Sequence, residues 1–115
     1  MENLRQILNS YENELYQGNI EPLRAGEILK DISSLYSNIL ENVKKRQIEY
    51  NKVLLFIFDE EKKASRARLR GEVLPEYERL LSAKNMERSA LELMRALKYF
   101  LRTKETEYRE MAGNQ

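Results

Sequence analysis

Cysteine and histidine are both absent from this sequence, and the two absences exclude a good deal of chemistry. Without cysteine there is no disulfide framework and no thiolate metal site. Without histidine the commonest general base, metal ligand and neutral-pH switch are gone. Breakers are scarce too, with two prolines and four glycines, and no long polar tract argues for disorder. The longest uninterrupted apolar run, VLLFIF from Val53 to Phe58, is far too short to span a bilayer. The stretch MENLRQILNSYENE has no basic segment followed by an apolar one and does not read as a signal peptide. The expectation is a cytoplasmic protein with no membrane partner.

What is present points to helices. The 115 residues fit a single domain spanning 1–115. Charged residues make up 34% and hydrophobic ones 42% of a chain rich in Leu, Glu, Lys, Arg and Ala, the composition of long helices or coiled coils. The net charge of +1 hides a gradient: residues 1–43 hold three Lys/Arg against seven Asp/Glu, and residues 44–115 hold seventeen against twelve. An acidic front and a basic back can pair within one molecule or between copies.

Glycine and proline place the boundaries. A first helix is predicted over 3–17, where Asn3 and Gln6 form a capping-box pattern and Gly18 ends the run. Pro22 stands at the first position of a second helix over 22–70, closed by Gly71, and Pro75 opens a third over 75–112. In the second, Ile28, Ile32, Leu35, Ile39, Val43, Arg46, Tyr50, Val53 and Ile57 recur at spacings of three and four. Unbroken, it would be roughly 70 Å long at ~1.5 Å per residue. So long a helix has too few neighbours in one short chain. Either it breaks, near Lys44–Gln47 or at Asp59, or a second copy covers it. VLLFIF is apolar on every side, which favours self-association through Val53, Leu54, Phe56, Ile57 and Phe58. The third helix reads as a heptad seam through Ala83, Glu87, Ala90, Met94, Leu97, Leu101, Lys104 and Tyr108. The fold class is therefore all-α: a short N-terminal helix on a long antiparallel helical hairpin, completed by self-association.

Two groups of cations are candidate binding residues. On a 100° wheel Lys84, Arg88, Arg95, Lys98, Arg102 and Arg109 share an arc of about 80° on the third helix, roughly opposite its apolar face. Tyr77 and Tyr99 lie beside that arc, where a ring could stack on a base. The second group is Lys62, Lys63, Arg66, Arg68 and Arg70 in KKASRARLRGE. These cations sit near a helix C-terminus and follow Asp59, Glu60 and Glu61, so service to the dipole and to ion pairs with Lys63 and Arg66 explains them. A solvated outer face is the plainer account of either group. Of the other tyrosines, Tyr36, Tyr50 and Tyr108 fall in apolar registers, and Tyr11 and Tyr16 are placed to dock the first helix. No residue pattern supports catalysis, and no catalytic residue, metal ligand or cofactor is assigned. Glu60 and Glu61 have no evident pocket to shift their pKa values, and the isolated glycines make no phosphate loop. A helix-turn-helix within LLSAKNMERSALELMRALK needs a bend near Asn85, where the heptad runs straight on.

The pattern EYNKVLL…KKASRARLR…YERLLSAKNMERSALELMRALKYFLRTKETEYRE, over about residues 48–110, resembles the small Lys- and Arg-rich helical proteins encoded by phages and prophages of Gram-positive bacteria. The resemblance implies a setting, an accessory protein in the cytoplasm of an infected host cell, acting against host defence or beside phage DNA metabolism. It assigns no residue a role. The function expected is non-catalytic: an oligomer that occupies a host protein or sequesters an anionic ligand. The alternative is a nucleic-acid-binding accessory of phage recombination or replication.

Overall fold

The computed structural model describes residues 2–113 and is helical nearly throughout, with no strand among them. Four helices follow one another: α1 (Glu2–Tyr16), α2 (Pro22–Glu61), α3 (Ala64–Gly71) and α4 (Pro75–Gly113). They form two compact units, one of Met1–Tyr36 with Arg88–Gln115, the other of Ser37–Glu87. VLLFIF lies wholly within α2.

In the first unit α1 folds back on the start of α2. Gly18 takes the left-handed φ of 80° that the turn requires, a conformation open to glycine because it has no Cβ. Pro22 opens α2 as expected. Asn3, expected to cap α1, lies inside it instead, because the helix begins at Glu2. The core is Leu8 from α1, Ala25, Ile28 and Ile32 from α2, and Ala90, Leu93 and Leu97 from α4, all at most 2% exposed. Spacings of three and four keep each set on one helical stripe. Ser33 Oγ lies 3.7 Å from Met94 Sδ at the edge of this core.

Polar contacts fasten α1. The Tyr11 hydroxyl donates to the Asp31 carboxylate. Arg24 holds Glu14 through two nitrogens, at 3.0 and 3.1 Å, reaches Glu27 at 3.3 Å and sits over the Tyr11 ring. The bond to Asp31, then burial, raises the Tyr11 pKa above its ordinary 10.0. The protonated phenol is the form that donates, so this contribution is full below pH 10 and lost as pH rises through the raised value. Tyr11→Phe should lower stability by about 1 kcal/mol near neutral pH and flatten its decline above pH 10. Burial raises the Tyr50 pKa in the same direction, so the test is the difference between variant and parent in denaturant midpoints from pH 8 upward. Identical profiles would mean that the Tyr11 bond does not hold α1.

In the second unit the expected helix over 22–70 is divided. It breaks neither near Lys44–Gln47 nor at Asp59 but at Lys62 and Lys63. Lys62 adopts a left-handed φ of 60° while its N–H closes the last turn of α2 on Phe58 O at 2.8 Å. Lys63 is extended and precedes α3. A left-handed non-glycine residue costs roughly 1–2 kcal/mol, and ending α2 here also leaves Glu60 and Glu61 in its last turn with no cation, which is unfavourable at the negative end of the dipole. Two effects offset these costs. Folding α3 back brings Arg70 to both carboxylates, 3.1 Å from Glu60 and 2.8 Å from Glu61. It also buries Ala67 and Gly71. The turn then closes through Leu74 N–H on Gly71 O at 3.1 Å, Pro75 starts α4, and Tyr50 meets Tyr77 with ring centroids 5.2 Å apart. The chain thus reverses between α2 and α4 as a helical hairpin with α3 set into its bend. Ile39, Tyr50, Ile57, Ala67, Leu80, Ala83 and Met86 form the core here.

The seam of α4 differs in detail from the heptad expected. Met86 and Leu93 are buried, where Glu87 and Met94 were placed in register and are only half-buried. The seam also stops early, since Lys104 and Tyr108 are exposed along with every residue from 102 to 113.

Candidate functional site

The cations of α4 stay in solvent because the opposite stripe supplies the core. Arg88, Arg95, Lys98 and Arg102 are all exposed in the first unit. None has a salt bridge within 4.0 Å among the described residues, whereas Arg24, Arg46, Arg70, Lys104 and Arg109 are each paired. Arg88, Arg95 and Arg102 recur at seven-residue intervals, roughly 10 Å apart along one helix face at ~1.5 Å per residue. Lys84, exposed and also without a salt bridge, lies on the part of α4 that belongs to the second unit. Arg109 departs from the expected set, since its guanidinium is held by Glu105 at 2.7 Å.

The two tyrosines placed beside this arc part company. Tyr77 packs against Tyr50 and serves the second unit's core, so it is not the free stacking platform expected of it. Tyr99 is 74% exposed. Tyr108 and Tyr16, expected to be packed, are exposed at the surface. Tyr16 is the last residue of α1, and Tyr108 lies in the end of α4 whose residues are all exposed.

The second basic group also divides. Arg70 is engaged by Glu61 and Glu60, which raise its pKa further. The ion pairs expected from these glutamates to Lys63 and Arg66 are replaced by that contact, because the chain break moves those residues off the α2 helix. Lys62, Lys63, Arg66 and Arg68 are exposed with no salt bridge among the described residues.

The presumed self-association residues are corrected by the position of α3. Ile57 is buried in the chain's own core. Val53 and Leu54 are half-buried, with Leu54 against Gly71. Phe56 and Phe58 remain exposed, joined by Leu55 and Leu69, which composition alone did not single out. Leu54, Leu55, Phe58, Ala64, Ala67 and Arg68, with Asn51, line a groove of about 460 Å³ between α2 and α3. The small residues Ala64 and Ala67, one turn apart, were the available signal for it.

Among the described residues no cluster of three or more carboxylates is placed to hold a metal ion, and no helix is long and apolar enough to cross a membrane. Comparison with family models, curated proteins and solved structures finds no match to this chain.

Proposed function

We propose that this protein acts by binding and not by catalysis, as a self-associating accessory protein of phage type that takes an extended polyanionic partner along α4. In that role it occupies an acidic host protein or sequesters an anionic ligand in the host cytoplasm. The observation that carries the reading is the run of exposed cations Arg88, Arg95, Lys98 and Arg102, free of salt bridges among the described residues on one unbroken helix. Free charges on a preordered helix bind without the entropy cost of ordering a loop. Self-association is supported by the exposed Leu55, Phe56, Phe58 and Leu69, of which Leu55 and Phe58 line one apolar groove.

Nucleic acid is the second reading, favoured by the exposed ring of Tyr99 at the margin of the same face, where a base can stack. A titration separates the two. Four cations engaged on phosphates give an affinity whose logarithm falls with the logarithm of salt at a slope of about −3 to −4. That result with single- or double-stranded DNA selects nucleic acid. Binding to polyglutamate but not to DNA selects an acidic protein surface. Binding to neither at low salt removes the polyanion reading altogether.

A further inference from the structure

We propose that the groove between α2 and α3 is filled by the last described turns of α4 from a second copy of this chain. The proposal rests on the self-association put forward above and names the segment that makes it.

The groove has an apolar floor, with Leu55 67% and Phe58 42% exposed. Its margin carries a cation, since Arg68 lines it, and Lys62 and Lys63, exposed and without salt bridges among the described residues, directly precede the lining residue Ala64. An occupant that fits must be apolar along its centre, acidic along its flanks and regular enough to lie between two helices.

One segment of this chain answers that description and is itself uncovered. Every residue from Arg102 to Gly113 is exposed although helical, so this end of α4 has no packed face among the described residues. On the wheel, Leu101, Tyr108, Met111 and Ala112 share a stripe less than about 120° wide, interrupted by Lys104, whose ammonium pairs at 3.4 Å with Glu107 on one border, while Glu105 stands on the other. Tyr108 and Met111 are 76% and 70% exposed. Among the described residues Glu105 and Glu107 form salt bridges only with Arg109 and Lys104 of the same helix, one turn away. Exposed pairs of that kind are weak and exchange readily for a partner's cations. Each surface supplies what the other lacks, in apolar area and in sign of charge. Reciprocal exchange of the two segments closes a two-fold dimer.

The absence of native cysteine makes the test direct, because introduced thiols report alone. Phe58→Cys and Met111→Cys chains are mixed and oxidised mildly, with folding checked by circular dichroism. The expected product is a disulfide joining one chain of each kind, formed ahead of like-with-like links, since bridging needs Cα atoms within about 7 Å. In parallel, Tyr108→Glu with Met111→Glu should weaken self-association at least tenfold by sedimentation and leave helicity unchanged, because both side chains are exposed. An oligomer that gives no 58–111 link and ignores the double substitution overturns this proposal and leaves self-association standing. A monomer at every concentration overturns both.

Discussion

Arg88→Glu, Arg95→Glu and Arg102→Glu, combined, should leave the helices intact and reduce affinity for a polyanion at least a hundredfold at low salt. Three cations disappear and three anions take their place on one exposed face. Each lost phosphate contact lowers the salt slope by about 0.9, so the slope should flatten by nearly three units. The fold should survive, because exposed charges each contribute only ~0.2–1 kcal/mol and no salt bridge is lost with these three among the described residues. The matched reversal of Lys62, Arg66 and Arg68 should spare polyanion binding and weaken self-association instead, since Arg68 lines the groove and none of the three lies on α4. Affinity titrations and sedimentation on both variants decide the matter. Loss of polyanion binding in the 62–68 variant alone would place the anion site on α3.

Gly71→Leu should be the most damaging single substitution to stability in the second unit. A Cβ at Gly71 would stand 3.0 Å from the Tyr50 hydroxyl and 3.1 Å from Leu54 Cδ1. Tyr50 cannot yield easily, being 7% exposed and wedged against Tyr77. Overpacking of this kind costs about 1–3 kcal/mol, and a branched side chain lies at the upper end or forces α3 away. Gly71→Ala should cost less, because helix propensity returns ~0.5–1 kcal/mol. Thermal melts should register a fall on the order of 4 °C per kcal/mol. With α3 displaced the groove opens, so Gly71→Leu should also lose self-association. An unchanged midpoint would show that α3 does not pack as described.

Much of this architecture was legible where the physics is local. Gly18, Pro22, Gly71 and Pro75 mark true helix ends, since backbone restrictions at these residues hold whatever surrounds them. The exposure of Lys84, Arg88, Arg95, Lys98 and Arg102 also followed from helical period alone. The break at Lys62 did not, because no glycine or proline announces it. What favours it is the contact of Glu60 and Glu61 with Arg70, ten and nine residues away. Tyr77 was misplaced because its partner Tyr50 lies on α2, a pairing that the pattern of α4 alone does not record. Where α4 runs past its neighbours, a seam continues in sequence through Tyr108 without anything to pack on.

The layout of the two units has a consequence for the order in which the molecule forms. The second unit is one unbroken stretch of chain, and the first is assembled from the segments on either side of it. Contacts such as that between Ser33 and Met94 join residues 61 apart, whereas Arg70 finds its partners within ten. Closing a long flexible loop carries an entropic penalty that grows with the logarithm of its length, and near contacts form first. The inserted hairpin should therefore fold early and shorten the loop that the outer segments must close. Gly71, whose near neighbours Tyr50 and Leu54 belong to that same inserted unit, should then set the pace of this first step.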